Sequence, residues 1–482
     1  MLDHRIILLE FNELCPSLMY RFMASGHLPH FRQLHDGSAV YTTRARERAP
    51  DLDPWIQWTT VHTGLNFDRH HIARLDEGES CAAKRIWDFV SEQGGTAWIC
   101  GSMSASYRPG FKGALIPDPW TTKVAPTPER FRPYFDFVQN SVLDSTNRRP
   151  SMSRRQAAEF ARFMACHGLS ARTVTHVASQ LLREWRGRDR WKRAVILDRL
   201  QFDLFRRHWL RERPTFSTLF LNSTAHFQHL HWREMEPELF EMRPTAAEID
   251  EYRSAILFGY RNMDSLLARV LKMADRRTTV VLATALSQQP CLAYEHQGGK
   301  AFYRPIDFRS LLSFAGVTAY RSVAPVMAHQ FHVEFGSELA ARAAQERLAA
   351  LRVDDRGALS VECHGNRLFA WCPITTAVAP SAVLHVAAGE HHRRETFSTV
   401  FYKVDGIKSG MHHPDGLLWI RRPDSRHQVF QDPVDLDLVA PTLLAELGIT
   451  PPEWMRRPIP GRSAVSSPQA PLLPVRTAHQ AI

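Results

Sequence analysis

The sequence predicts an α/β protein with a central, mainly parallel sheet and helices on both faces. A short apolar run from Arg5 to Phe11 is typical of a buried strand, and a helical stretch from Pro16 to Leu34 follows it directly. Further strand-like runs, Thr96 to Cys100 and Thr278 to Ala283, each come directly after a helical stretch. Strands that alternate with helices along the chain are typical of a parallel sheet, so this pattern determines the fold class.

The 482 residues suffice for one large α/β domain with insertions or for two to three small domains. We predict one α/β domain over residues 1–462, with a helical cap insertion at 115–213 and a second insertion at 295–400. Within the cap, Leu115 to Pro150 is proline-rich and predicted to be irregular, whereas Ser153 to Arg213 has apolar residues at helical spacing. The Ser/Pro/Ala-rich residues 463–482 are predicted to be a disordered tail.

The chain is basic, with 60 Lys and Arg against 50 Asp and Glu and a formal net charge of +10. Much of the excess is arginine in helical stretches such as Arg183 to Arg213. One interpretation is a solvated, arginine-rich surface, and the other is attraction to phosphate-bearing or otherwise anionic partners. The charge comes without an RNA- or DNA-binding motif, so no nucleic-acid module is predicted.

Cysteine usage and hydropathy indicate the cellular compartment in which the protein resides. The seven Cys are odd in number and scattered without CxxC spacing, which argues against a disulfide framework and indicates a reducing environment. The apolar run at the N-terminus is too short for a signal peptide, and no apolar stretch reaches membrane-spanning length. We therefore expect a soluble cytoplasmic protein without a membrane segment, and the oligomeric state is not predicted.

Five stretches carry short motifs in a fixed order: Leu8–Leu14 with Gly26–Phe31, Pro54–Gly64 with His70–Ile72, Ile86–Phe89 with Gly94–Gly95, Ser223–Trp232, and Gly410–Gly416 with Ala440–Leu444. Together they resemble the type I phosphodiesterase/nucleotide pyrophosphatase family of the alkaline phosphatase superfamily. The resemblance extends from residue 6 to about residue 462 and leaves both insertions uncovered. It implies an alkaline-phosphatase-like fold for the domain at 1–462. It also implies a hydrolase or phosphoryl transferase that acts on a phosphodiester, such as a nucleotide sugar or a glycan phosphate.

The family's chemistry uses two adjacent divalent metals and a Thr or Ser nucleophile. The resemblance places Pro54, which has no hydroxyl, at the nucleophile position, and it places Ala225 and Ala285 at metal-binding aspartates. Standard two-metal diesterase chemistry is therefore predicted to be absent. The resemblance implies a divergent member with a degenerate metal site, or a pseudoenzyme that binds an anionic ligand or a partner protein without turnover.

Three residues remain as metal ligands by resemblance: Asn12, His229 and His412. They imply one divalent metal, with zinc as the candidate, or no metal if the protein is a pseudoenzyme. His226 and His413 are further possible ligands; Asn222 and His226 share the four-residue spacing of a metal-binding pair, which leaves a second alignment frame open. The expected partner is a phosphate-containing small molecule or a glycan.

Other residue roles remain open on the sequence alone. Asp53 is a candidate replacement nucleophile, yet Asp followed by Pro is also the expected start of a helix, with Asp53 as its N-cap. Glu10 and Glu13 flank Asn12, and either one could supply a lost carboxylate. The ligand-binding candidates are Glu10, Trp58 and His231; Trp58 could stack on a base or sugar or belong to the core, and His231 could bind phosphate or be structural.

Overall fold

The computed structural model describes residues 2–121, 123–144, 153–187, 189–326, 329–386, 393–404, 408–424 and 426–460. The predicted tail at 463–482 lies outside these residues. Within them, no helix is both long enough and apolar enough to cross a membrane.

The described chain up to residue 283 alternates strands with helices. Its strands are β1 (Arg5–Phe11), β2 (Ala39–Arg44), β3 (Ala97–Cys100), β4 (Gly113–Ile116), β5 (Phe216–Leu221) and β6 (Thr278–Ala283). Its helices are α1 (Pro16–Ala24), α2 (Pro29–His35), α3 (Pro54–Thr63), α4 (Phe67–His70), α5 (Ile86–Glu92), α6 (Arg132–Asp144), α7 (Arg154–Cys166), α8 (Ala171–Trp185), α9 (Val195–Glu212), α10 (Ser223–Met235), α11 (Ala246–Tyr252) and α12 (Ala255–Met273).

The remaining elements follow in chain order. The strands are β7 (Ser287–Pro290), β8 (Tyr303–Pro305), β9 (Ser322–Pro325), β10 (Gln330–Glu334), β11 (Leu351–Val353), β12 (Arg356–Gly357), β13 (Ser360–His364), β14 (Arg367–Trp371), β15 (Val383–Val386), β16 (Arg394–Thr396), β17 (Phe401–Lys403), β18 (Gly410–His413), β19 (Asp415–Arg421), β20 (Gln428–Val429) and β21 (Val434–Asp435). The helices are α13 (Phe308–Phe314), α14 (Glu338–Ala349), α15 (Phe397–Val400) and α16 (Val439–Glu446).

The central sheet has the strand order β20-β2-β19-β6-β1-β5-β3-β4, with β21 also paired to β2. Strand β1 pairs in parallel with both β5 and β6, and β3 pairs in parallel with β5 and β4. Strand β19 is antiparallel to its neighbours β6 and β2. The prediction of a central, mainly parallel α/β sheet is therefore confirmed.

Helices cover both faces of this sheet because side chains alternate along each strand. Ile7 of β1 belongs to the apolar core on one face, together with residues of α1, α9 and α12. Ile6 belongs to the core on the other face, together with residues of α3, α5 and α16. The two apolar cores thus hold the strand ends in fixed positions, which any site at those ends requires.

One expectation about the first insertion is wrong. The stretch Leu115 to Pro150 was predicted to be irregular, but it contains the helix α6. Tyr134, Phe135 and Val138 recur at helical spacing and are buried in the same core as Ile7, so packing of this face stabilises the helix in a proline-rich context.

Residues 301–404, which we call the lobe, have a core of their own. Leu311, Phe331 and Leu351 are fully buried in it. Its described strands form three small antiparallel sheets, β13-β14-β10-β9, β12-β11-β15-β16 and β17-β8. The lobe contacts the main domain at Asp76, whose side chain is 3% exposed and lies 3.0 Å from His332 Nε2 and 2.8 Å from Arg367 Nη2.

We expect Asp76→Asn to destabilise the protein by about 3 kcal/mol at neutral pH, because it removes one partner of a buried ion-pair cluster. Burial alone would raise the pKa of Asp76, but His332 and Arg367 outweigh it and hold the pKa at about 2, below the ordinary 3.8. A depressed carboxyl pKa stabilises the fold above the unfolded pKa, and this contribution is lost as pH falls through about 2. Urea unfolding at a series of acidic pH values should therefore show that the free energies of unfolding of Asp76→Asn and of the parent chain become more similar as pH approaches about 2. The exposed Asp355→Asn is the control; an equal effect of both changes would contradict the prediction.

Candidate functional site

Three strands of the central sheet end at the same edge. Strands β1, β5 and β6 run in parallel, so their carboxyl ends meet there, which is the usual ligand-binding edge of such sheets. Strand β19 runs in the opposite direction and begins at this edge. The strand just before it, β18, pairs with β7 and sets His412 opposite Gln288. The topology therefore gathers residues that are distant in sequence.

Glu13, His229 and His412 form a compact cluster at this edge. Glu13 Oε2 lies 3.1 Å from His229 Nε2 and 3.6 Å from His412 Nε2. One ligand atom from each of the three residues lies within 4.8 Å of the other two. The Glu13 side chain is 3% exposed, whereas the His229 and His412 side chains are 25% and 16% exposed, so solvent reaches the cluster from the histidine side.

Local structure fixes the Glu13 carboxylate in place. Its backbone has a φ of 60°, in the left-handed region that non-glycine residues seldom adopt, and such strain is concentrated at functional sites. Asn12 Nδ2 donates to Oε1 at 2.7 Å and Gln288 Nε2 donates to Oε2 at 2.5 Å. Burial would raise the pKa of Glu13, but His229, His412 and the Gln288 hydrogen bond outweigh burial and hold the pKa at about 2. Glu13 is therefore a carboxylate at neutral pH.

The two histidines are also held in position. His229 Nδ1 lies 3.1 Å from the carbonyl oxygen of Gly410, which favours the tautomer with Nδ1 protonated and leaves Nε2 as a free electron pair. Gly410 is required for this approach, since a Cβ there would lie 2.3 Å from the Gln228 carbonyl oxygen. His412 Nδ1 lies 3.3 Å from Asp53 Oδ1. Burial lowers the pKa of His229, although Glu13 opposes this effect, so its neutral form is favoured.

This donor set fits a divalent cation such as zinc. Ligand atoms about 2.0–2.1 Å from a tetrahedral zinc stand about 3.3 Å apart, and the two Glu13–histidine distances are 3.1 and 3.6 Å. Two histidines and one glutamate form a ligand set used by catalytic zinc, which keeps its fourth position for water or substrate. Backbone carbonyls and carboxylates that orient the second ring nitrogen, here Gly410 and Asp53, are the usual outer partners of metal-binding histidines.

The structure places Asn12 and Asp53 differently from their predicted roles. Asn12 was expected to be a metal ligand, but its Nδ2 faces Glu13 and its Oδ1 accepts a hydrogen bond from Trp58 Nε1 at 2.8 Å. Asp53 precedes α3 at the N-cap position, as predicted, yet it makes no side-chain capping bond within the described chain. Its carboxylate instead orients His412.

Two of the ligand-binding candidates are buried below the site. Trp58 is 0% exposed, so it offers no face to a base or sugar and belongs to the core. Glu10 is also 0% exposed, and its Oε1 lies 2.7 Å from His62 Nε2. Both lie between α3 and the sheet, because Glu10 on β1 points toward α3, the helix that carries Trp58 and His62.

The other candidate histidines are not members of the ligand group found in the described chain. His231 is stacked on Tyr252, with ring centroids 4.7 Å apart, and burial lowers its pKa to about 4. His226 is exposed on α10. His413 accepts a hydrogen bond from the backbone N–H of Asp415 at its Nδ1, which orders the turn into β19. The additional metal ligands proposed from the sequence are therefore not brought together with His229 and His412.

Residues that support the cluster were not expected from the sequence. Gln228 Nε2 donates to the Glu13 carbonyl at 2.7 Å, and Tyr260 donates its hydroxyl proton to Gln228 Oε1 at 2.8 Å. Gln288 follows β6 in a polar segment, Ser287–Pro290, that begins fully buried. The available signal was a Gln shortly after a predicted strand end, where an amide that becomes buried needs partners.

Comparisons with known proteins found no matching family model and no matching curated protein sequence. Among solved structures, the chain is similar to human ectonucleotide pyrophosphatase/phosphodiesterase 5, with 11% identity, 95% of this chain and 97% of that chain covered, and a TM-score of 0.40. It is also similar to phosphonoacetate hydrolase from Sinorhizobium meliloti 1021 in complex with phosphonoformate, with 11% identity, 91% and 94% coverage and a TM-score of 0.39. The fold class therefore rests on the sheet itself, and the functional proposal below rests on the site residues.

Proposed function

We propose that the chain is a metal-dependent phosphoester hydrolase with an alkaline-phosphatase-like fold, whose site holds one divalent cation. The observation that supports this most is the convergence of Glu13, His229 and His412 at the edge where β1, β5 and β6 end. A divalent cation held by these three residues would lower the pKa of a water molecule and would neutralise negative charge that develops at phosphorus. The substrates we propose are phosphodiesters, such as a nucleotide sugar or a glycan phosphate.

Lys408 supplies the positive charge that a phosphate oxygen requires. Lys408 is close to the cluster, since the backbone N–H of its neighbour Ser409 donates to the carbonyl oxygen of His229 at 2.7 Å. Burial lowers the pKa of Lys408, and the negative charge of Glu13 opposes this effect. A lysine in this position can pair with a phosphate oxygen that a metal does not contact. Lys408 therefore serves substrate binding in this proposal.

Water, rather than a side chain, is the proposed nucleophile. Pro54 begins α3 and carries no hydroxyl, and the Asp53 carboxylate beside it contacts His412. Asp53 therefore acts as a positioning residue for His412. Without a covalent intermediate, no rapid first turnover should precede the steady state.

We expect the full chain, supplied with Zn²⁺ or Mn²⁺, to hydrolyse bis-p-nitrophenyl phosphate slowly and with a linear time course from the first turnover. A chelator should abolish the reaction, and His412→Ala should reduce it by about 100-fold or more. His427→Ala, which changes a histidine outside the site, is the matched control. Turnover that resists the chelator, or no turnover with any metal, would contradict the proposal.

One observation favours a second candidate, an anion-binding protein without turnover. The Glu13 carboxylate already contacts two histidines and accepts the Gln288 hydrogen bond, so the cluster can exist as a polar network without a metal. In that case the histidines and Lys408 would bind a phosphate group directly, and binding would strengthen as the histidines become protonated. Calorimetric titration of Zn²⁺ and of inorganic phosphate at two pH values separates the two candidates.

A further inference from the structure

Helix α8 carries an exposed apolar stripe. Its members recur at helical spacing, and the side chains are 49% exposed at Val174, 52% at Leu181, 50% at Leu182 and 83% at Trp185. The exposed Ala178 lies on the same line. A stripe of this kind on one helix is uncommon on the surface of a monomeric protein and marks a contact with another apolar surface.

The stripe lies in the most basic part of the chain. Residues 153–213 contain fifteen Arg and Lys against six Asp and Glu, so this segment alone carries nearly all of the formal net charge of +10. Arg172 and Arg186 at the two ends of α8 are exposed, as is Arg190 just beyond. The surface that meets the stripe must therefore tolerate or attract concentrated positive charge.

A cavity of about 440 Å³ opens beside the stripe, lined by Arg172, Thr175, His176, Ser179, Arg199 and Ser265. The residues from α8 recur at helical spacing on the side of the helix that adjoins Leu182. All six side chains can donate a hydrogen bond, and none is a carboxylate. A lining of hydrogen-bond donors that includes two arginines and no carboxylate suits a phosphate group.

Two buried nitrogen atoms in the described lining of this cavity lack a hydrogen-bond partner. Within the described part of the chain, the buried Nε of Arg199 and the buried Nε2 of His176 have no hydrogen-bond partner. The nearby carboxylate of Asp203 is engaged by Ser170 and by Arg269. Burial, followed by the charge of Arg172, lowers the pKa of Arg199, and burial, followed by Arg199, lowers that of His176 to about 4. The negative charge of a bound anion would oppose the decrease in both pKa values.

We propose that α8 docks on the surface of an anionic phospholipid membrane, with the stripe in the interface and a lipid headgroup phosphate in the cavity. Helices that lie on membranes combine an apolar side that carries Trp and Leu with a polar side rich in Arg and Lys, as α8 and its flanks do. Trp185 suits the boundary between headgroups and acyl chains, and the arginines attract anionic lipid. The absence of carboxylates from the cavity lining favours this occupant over a protein surface of mixed charge.

The test is sedimentation of the full chain with vesicles of phosphatidylcholine alone and of phosphatidylcholine mixed with phosphatidylglycerol. We expect binding to the mixed vesicles only, weakening as salt rises above about 0.15 M. The double change Leu182→Ser/Trp185→Ser should reduce binding by about 10-fold or more, and Arg172→Gln/Arg199→Gln should do the same. Arg199 is half-buried, so the double change could prevent folding. In that case Arg172→Gln alone, which changes an exposed side chain, takes its place and should also weaken binding.

The control is Leu339→Ser, which removes a leucine that is 80% exposed on α14 of the lobe and should leave binding unchanged. Equal binding to both kinds of vesicle, binding to neither, or an equal loss in the control would overturn the proposal. So would a dimer in solution that Leu182→Ser/Trp185→Ser dissociates, because a second copy of the chain would then cover the stripe. Zinc binding at the Glu13 cluster should be unaffected by every one of these changes, which separates this test from the proposed function.

Discussion

Replacing His62 by leucine is expected to lower the free energy of unfolding by about 3–5 kcal/mol, since it leaves a buried carboxylate without its partner. His62 Nε2 and Glu10 Oε1 lie 2.7 Å apart, and both side chains are 0% exposed. Within the described chain, the second carboxylate oxygen of Glu10, Oε2, has no hydrogen-bond partner, so no other donor compensates for the loss of His62. Urea unfolding at neutral pH, followed by circular dichroism, measures the effect.

The double change Glu10→Leu/His62→Leu is the matched test of this explanation. Replacing both partners by apolar side chains of similar size should recover most of the stability, because no unpaired charge remains buried. Arg342→Leu, which breaks an exposed ion pair with Glu338 on α14, should leave the unfolding midpoint unchanged. If His62→Leu is as mild as Arg342→Leu, the Glu10–His62 pair does not have the role assigned here.

Glu13→Gln is expected to weaken zinc binding by about 100-fold or more, because it replaces the one charged ligand of the cluster by a neutral amide. The change preserves size and the acceptor oxygen that Asn12 contacts. Asp53→Asn, which acts through His412, should weaken binding by about 10-fold. Metal content after dialysis, together with calorimetric titration, measures both effects.

A second group of possible ligands provides the control for Glu13. His35, Asp36 and His427 also bring three ligand atoms within 4.8 Å, and the Asp36 side chain is 54% exposed. Asp36→Asn should leave the tight zinc site intact. Loss of zinc on Asp36→Asn and retention on Glu13→Gln would move the metal site away from the proposed edge.

Much of the fold could be predicted because its signals are local. The apolar runs of β1, β3 and β6 are buried strands, and the helices beside them pack on both faces of one sheet. The antiparallel orientation of β19 could not be predicted, since an apolar run indicates a buried strand but not whether it runs parallel or antiparallel to its neighbours. The helix α6 was not predicted because prolines surround it in the sequence and favour irregular structure. Burial of its apolar face in the core stabilises the helix, and this burial is not evident from the sequence.

The site could be predicted in part. The resemblance identified His229 and His412, and the structure brings both into one cluster. Glu10 and Glu13 were left as alternatives for the carboxylate. Strand alternation does not predict the left-handed φ of 60° at Glu13 that directs its side chain to the histidines. Asn12 was assigned to the metal because the sequence does not reveal that Trp58 and Glu13 use both ends of its amide.

The central claim is that Glu13, His229 and His412 hold one divalent cation, and calorimetry tests it most directly. Zn²⁺ and inorganic phosphate should each be titrated into metal-free protein at about pH 6 and about pH 8, on either side of the ordinary histidine pKa. Neutral imidazoles must ligate the metal, so we predict about one equivalent of Zn²⁺ with higher affinity at the higher pH. No Zn²⁺ binding at either pH, with phosphate binding that strengthens at the lower pH, would contradict the claim and leave an anion site in its place.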